Sequence, residues 1–286
     1  MNPLYISDLD GTLLTNTATL SDFSKAELQR LLVEGIDFSV ASARSVASIR
    51  SILQGIRLKL PVIELNGAFI TDLETGRHEI VNAMDQEIVS DLYELSACRG
   101  CKPFISTFNG KQDCLYYCEI LNEGMRWYVD DRIKNEDRGL RKVSDLTSTF
   151  REQVVCVLSI GTQEMLSDLA LSVHERHGLT VEIHFFENRY SPGWHWLTVQ
   201  DKRASKDQAV RTLMQAIGLS DKELVVYGDQ INDLKLFGIA TESVAVGNAV
   251  PEIIERATHL IGTNEEDSVV KHIRQHWNHK LGVGAG

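Results

Sequence analysis

The sequence predicts an α/β protein: a Rossmann-like core built on a parallel sheet, with an α+β cap domain inserted into it. Residues 1–82 alternate short apolar runs with amphipathic stretches, the order that yields parallel strands joined by right-handed crossovers. Residues 83–190 lose that regularity and read as a mixed lobe. Residues 191–286 return to the opening pattern. The expected domains are therefore a core of 1–82 with 191–286 and an insertion of 83–190, and 286 residues are comfortable for two lobes.

Each element follows from local pattern. Leu4-Tyr5-Ile6 is an apolar run that predicts the first strand. Ser21 to Glu34 predicts a helix with Ala26, Leu28, Leu31 and Leu32 inward and Gly35 as its stop. Ile36 to Ala41 predicts a strand, Ser45 to Leu53 a helix, and Pro61 to Leu65 a third strand ending at Asn66-Gly67. A hairpin turning at Glu74-Thr75-Gly76 follows. In the middle lobe, Asp85 to Ala97 and Gln163 to His177 predict helices. Runs near Pro103, Cys114, Val154 and Thr180 predict strands, and the polar stretch Asn122 to Asp145 takes no assignment. Trp196 to Gln200 is expected to open the second half of the core as a strand. Beyond it come a helix from Ser205 to Ile217, a strand from Glu223 to Tyr227, shorter units, and a helix from Ser268 to about Trp277. The tail from Gly282 to Gly286 is expected to be disordered.

Composition narrows the function classes. A net charge of −11 argues against nucleic acid, which needs a basic face. An anionic substrate would need local positive charge against this field. No apolar run approaches a membrane span and no export signal opens the chain, so a cytoplasmic protein without a membrane partner is expected. Five cysteines, an odd number in a chain of this size, are expected to be reduced thiols.

The polar residues that carry chemistry gather where strands end. In an open parallel sheet, ligands sit beyond the carboxyl ends of the strands. The first strand ends at Asp8-Leu9-Asp10-Gly11-Thr12, the second at Ser42-Ala43-Arg44, the third at Asn66-Gly67, and a late strand at Gly228-Asp229-Gln230-Ile231-Asn232-Asp233. One aspartate at a strand end is ordinary turn chemistry. Acidic positions 8, 10 and 229 at the ends of one sheet imply a counterion, because folding does not gather uncompensated carboxylates. A cation would leave one carboxylate free as nucleophile and another as acid or base, which suits phosphoryl transfer. Lys206, behind the plausible N-cap Ser205, supplies fixed positive charge.

This order of motifs resembles the haloacid dehalogenase superfamily, and within it the Cof-type phosphatase branch with a large α/β cap. The matching residues are Asp8 to Leu13, Ser42 to Arg44, Asn66-Gly67-Ala68, Ser205-Lys206, Gly228 to Asp233, and Val246-Gly247-Asn248-Ala249, which cover the core but not the insertion. The resemblance implies Asp8 as nucleophile through an aspartyl-phosphate and Asp10 as acid and base. It implies Mg²⁺ held by Asp8, the backbone carbonyl of Asp10, and Asp229. Ser42 and Lys206 would bind the phosphate, Asn66 would lie beside the substrate, and Asn232 would orient phosphate or lysine. Asp233 and Arg44 would support the site. The resemblance implies a small phosphorylated metabolite, with sugar phosphates foremost, as substrate, and a cap that closes over it. Ser42-Ala43-Arg44 departs from the usual Thr-Gly-Arg, and Asp207 stands where Gly is usual; neither removes a catalytic group.

Other features weigh less. Cys98 with Cys101 and Cys114 with Cys118 have zinc-like spacings, against the plainer reading of reduced thiols. Trp194-His195-Trp196 reads as packing, and Arg189 is a weak choice for a residue that reads substrate. The nine histidines suggest no metal or triad arrangement. The rival readings are a phosphohexomutase using the same aspartyl-phosphate and a non-catalytic regulatory protein that binds phosphorylated ligands.

Overall fold

The structure, a computed structural model, describes residues 2–134, 137–188 and 191–282; Arg189 and the tail from 283 lie outside the described residues. The chain forms two compact units, 1–80 with 205–286 and 81–204.

The first unit opens with β1 (Leu4–Ser7), α1 (Asp22–Glu34), β2 (Asp37–Val40), α2 (Val46–Ile52), β3 (Val62–Glu64) and the pair β4 (Phe69–Thr71) and β5 (His78–Val81). The second unit contains α3 (Gln86–Cys98), β6 (Phe104–Phe108), β7 (Asp113–Tyr117), α4 (Glu123–Lys134), β8 (Leu140–Lys142), β9 (Gln153–Gly161), α5 (Gln163–His177), β10 (Val181–Glu187) and β11 (His195–Asp201). The chain then returns with α6 (Lys206–Ala216), β12 (Leu224–Gly228), α7 (Leu234–Phe237), β13 (Glu242–Ala245), α8 (Pro251–Arg256), β14 (His259–Leu260) and α9 (Ser268–Lys280).

The first unit is built on a parallel sheet in the order β14-β13-β12-β1-β2. A parallel bridge from Ala41 to Ile63 brings β3 alongside β2, and β3 then starts a small sheet with β4 and β5. All residues of β1 and β12 are buried, as expected for parallel strands covered on both faces. Helix α1 starts where Ser21 accepts a 2.9 Å bond from the Ser24 N–H and stops at Gly35, which adopts φ +96. Leu28, Leu31 and Leu32 face the core, but Ala26 is exposed; the neighbouring inward position belongs to Glu27, which Arg274 of α9 holds at 2.5 Å.

The second unit is an α+β fold on a sheet ordered β10-β11-β9-β6-β7-β8. Its architecture corrects one expected boundary. Strand β11 was expected in the core, yet it lies between β10 and β9, antiparallel to both, and residues 191–204 belong to the second unit. Seven rungs to β10 fix it there, from Glu187↔His195 to Val181↔Asp201. The unassigned stretch after Asn122 holds α4 and β8.

Candidate active site

The carboxyl ends of β1, β2, β3 and β12 deliver Asp8, Ser42, Asn66 and Asp229 to the polar rim of the first unit. Beyond β1 the chain makes one wide turn, Leu9–Leu13, in which Gly11 takes φ +76. A Cβ on Gly11 would stand 2.4 Å from Asp229 Oδ2, so only glycine lets the two loops meet. The turn is pinned from the far side of the sequence: Asn248 donates to the Gly11 carbonyl at 2.7 Å, and Asn264 donates to the Leu14 carbonyl at 2.8 Å.

Lys206 stands at the centre. It opens α6, its side chain is 1% exposed, and its Nζ donates to Asp8 Oδ1 at 2.6 Å and to Asp233 Oδ1 at 2.7 Å. The other oxygen of Asp233 accepts the backbone N–H groups of Asp229 and Gln230 at 3.1 and 3.2 Å, which fixes the loop beyond β12. Asp229 accepts from the Thr12 hydroxyl at 3.1 Å and from Gln230 Nε2 at 3.2 Å. Ligand oxygens of Asp8, Asp229 and Asp233 lie within 4.8 Å of one another, and all three residues are buried.

Three carboxylates around one ammonium leave the group short of positive charge. Burial therefore dominates: it pushes Asp8 up to about 7, against the pull of Lys206 and with the repulsion of Asp233 and Asp229. Burial, then repulsion from Asp233, pushes Asp229 up to about 6. Burial opposes the charge on Lys206, yet the two aspartates outweigh it and hold its pKa above the ordinary lysine value. An all-oxygen, buried and under-compensated group fits a hard divalent cation.

Asp10 behaves differently. Its carboxylate is half exposed and turned to Arg44, which donates Nε to Oδ2 at 2.7 Å and Nη2 to Oδ1 at 2.6 Å. Asp10 thus contributes no carboxylate oxygen to the buried group, whose third carboxylate is Asp233. Arg44 also donates to Ser48 at 3.0 Å. The Ser42 loop is tied to the third strand: the Ser42 N–H donates to Ile63 O at 2.9 Å, and the Asn66 N–H donates to Ser42 O at 2.9 Å. Asn232 Nδ2 donates to Asn66 Oδ1 at 3.4 Å. Glu64, fully buried, accepts the Val46 N–H at the start of α2 and the Thr71 hydroxyl, and so anchors this loop from below.

Asp8, Ser42, Asn66, Lys206, Asp229, Asn232 and Asp233 all lie at this rim, with Asp10 and Arg44 paired beside them. Thr12, Gln230, Asn248, Asn264 and Glu64 were not singled out individually. Thr12, Gln230 and Asn248 sit inside the motifs and were legible in principle, whereas Asn264 and Glu64 act only through contacts distant in sequence. The cysteine pairs do not form a metal group among the described residues; Cys98 is exposed, while Cys101 and Cys114 are buried.

The profile of the haloacid dehalogenase-like hydrolases matches residues 5–273. The chain belongs to that family. This haloacid dehalogenase-like hydrolase is 23% identical over 281 residues to a Bacillus subtilis 5-amino-6-(5-phospho-D-ribitylamino)uracil phosphatase, covering 96% of this chain and 97% of the relative. It is 24% identical over 282 residues to the HMP-PP phosphatase of Cronobacter sakazakii, covering 94% and 93%. A solved haloacid dehalogenase-like hydrolase of Bacteroides thetaiotaomicron superposes with TM-score 0.75 at 22% identity, covering 96% and 99%, which shows the shared fold. The family and the names of these relatives agree with the phosphoric monoester hydrolase expected from the sequence. Among the described residues, no helix of this hydrolase is long and apolar enough to cross a membrane.

Proposed function

We propose that this hydrolase dephosphorylates small phosphorylated metabolites, sugar phosphates foremost, by double displacement through Asp8 with a divalent cation, Mg²⁺ by its ligand chemistry. The reading rests above all on Lys206, which joins Asp8 and Asp233 across 198 and 27 residues of sequence beside Asp229. Asp8 and Asp229, with Asp233 adjacent, would hold the cation, which when bound neutralises the carboxylates and draws charge from the phosphate oxygens.

The chain's own groups do the rest. An Asp8 oxygen attacks phosphorus, forming a P–O bond as the ester P–O bond breaks. Lys206 and the Ser42 hydroxyl offset the charge on the non-bridging oxygens. Asp10 gives its proton to the departing oxygen, then takes one from the water that attacks the aspartyl-phosphate, releasing inorganic phosphate and restoring Asp8. Arg44 anchors Asp10 through two parallel bonds and sets where that carboxyl stands; one oxygen must leave this fork to carry the proton that Asp10 gives.

Asp8→Asn assayed on p-nitrophenyl phosphate with Mg²⁺ tests the mechanism: turnover should vanish, and undiminished turnover removes Asp8 from it. A phosphate-release screen over several dozen phosphorylated metabolites tests the substrate class. Isomerised product with a bisphosphate requirement would instead favour the mutase reading.

A further inference from the structure

The opposite rim of the same sheet carries a second group of ligand-type residues. Glu223 immediately precedes β12, Glu242 begins β13, and His276 lies on α9. Glu223 stands six residues before Asp229, roughly 20 Å along the strand from the aspartate site. One ligand atom from each of Glu223, Glu242 and His276 lies within 4.8 Å of the others.

The histidine is the informative member, and it departs from the expectation that the histidines form no metal arrangement. Its side chain is 11% exposed, and its Nε2 is buried with no hydrogen-bond partner. That atom faces Glu242 Oε1 at 3.6 Å and Glu223 Oε1 at 3.9 Å. A buried imidazolium between two carboxylates would close to ordinary hydrogen-bond length, about 2.7–3.2 Å. The observed gaps instead leave room for an ion between the three atoms.

The surroundings suit that use. His276 Nδ1 lies 2.8 Å from the Tyr5 hydroxyl. A proton on Nδ1 donated to Tyr5 leaves the Nε2 lone pair free, the outer-shell arrangement usual for a metal-bound histidine. The outer oxygens are engaged elsewhere: Lys280 meets Glu223 Oε2 at 2.7 Å, and His259 Nε2 lies 3.5 Å from Glu242 Oε2. Both inner Oε1 atoms are thereby left facing His276.

We propose that Glu223, Glu242 and His276 form a binding site for a borderline divalent cation of the Zn²⁺, Co²⁺ or Ni²⁺ class, separate from the aspartate site. One imidazole nitrogen with two carboxylate oxygens selects this class over Mg²⁺ or Ca²⁺, which prefer oxygen alone. Ligand bonds of about 2.0–2.2 Å put tetrahedral donor atoms roughly 3.3–3.6 Å apart, so the gaps of 3.6 and 3.9 Å need the glutamates to close in only slightly. Both have room to do so, with side chains 22% and 25% exposed. His259, whose Nε2 lies 3.5 Å from Glu242 Oε2, is a further imidazole beside the site.

The test uses the full chain carrying Asp8→Asn and Asp229→Asn, which disables the aspartate site. After removal of metal with EDTA, Co²⁺ is titrated with calorimetry and visible absorption. One equivalent should bind, develop visible bands, and be displaced by Zn²⁺. Adding His276→Gln or, separately, Glu242→Gln should raise the Kd by at least about 100-fold, since even outer-shell changes cost 10–100-fold. Glu242 is partly exposed, so its variant keeps the test decisive if His276→Gln fails to fold. No Co²⁺ bound by the background chain, or unaltered affinity in Glu242→Gln, overturns the proposal. Glu242→Gln alone should leave p-nitrophenyl phosphate turnover unchanged, so this proposal and the aspartate-site reading fail separately.

Discussion

Replacing Lys206 with methionine removes the one ammonium that joins Asp8 and Asp233 while keeping similar side-chain bulk. The lysine is fully enclosed, so water does not replace it. Breaking a buried pair by deleting one partner costs about 3–5 kcal/mol, because the remaining charge stays buried and unpaired. The loss should depend on pH. In the metal-free protein, burial already raises Asp8 to about 7, against an ordinary carboxyl near 4 in the unfolded chain. The folded state therefore binds more protons than the unfolded state between about pH 4 and 7, and stability falls as pH rises through that window. Without Lys206 the repulsion from Asp233 acts unopposed and the window extends upward. At pH 8 in EDTA, urea unfolding of Lys206→Met should show a loss of about 3–5 kcal/mol relative to the parent. At pH 5 a proton does part of the lysine's work, and the loss should shrink toward the cost of a buried polar group left without its partner, about 1–3 kcal/mol. An equal loss at both pH values, or a loss under about 1 kcal/mol at pH 8, would refute the reasoning.

The affinity of the aspartate site for Mg²⁺ should fall as pH drops, because Asp8 near 7 and Asp229 near 6 must shed protons to bind. Calorimetry should find the affinity at least about 10-fold weaker at pH 5 than at pH 8; a flat profile would contradict the burial argument. Arg44→Ala releases Asp10 and should lower kcat roughly 10–100-fold with a smaller change in KM, and Arg44→Lys should rescue it poorly because one ammonium does not reproduce the two-point fork. Steady-state kinetics on p-nitrophenyl phosphate reads both variants. Gly11→Ala places a methyl group against Asp229 Oδ2 at a left-handed backbone position, so thermal unfolding should reveal a loss above about 1 kcal/mol together with weakened Mg²⁺ binding.

Much of the first unit was legible because its signals are local. Apolar runs such as Leu4-Tyr5-Ile6 end in polar clusters, and parallel strands put those clusters on one rim. Strand β11 misled because its buried pattern looks the same whichever sheet takes it; only the rungs to β10 and β9 decide. Helix α4 escaped notice because its buried residues are only Gly124, Met125 and Val129, too few to show a period among its charges. The fork between Asp10 and Arg44 and the contact of Lys206 with Asp8 join residues 34 and 198 positions apart, beyond the reach of any short pattern. For the same reason Glu223, Glu242 and His276 left no motif.

The neighbouring strands β1 and β12 pair Leu4 with Leu224, 220 positions later. On the ribosome, the first strand therefore waits for its central partner while the whole interrupting unit is made. At about 5–20 residues per second the delay is roughly 10–45 s. During that time an apolar strand meant for the middle of a sheet has an open edge, which is a template for faulty association. A middle unit that collapses early would shorten the effective tether between the two halves and ease their closure. Asp8 is thus among the first residues synthesised and among the last to acquire its surroundings.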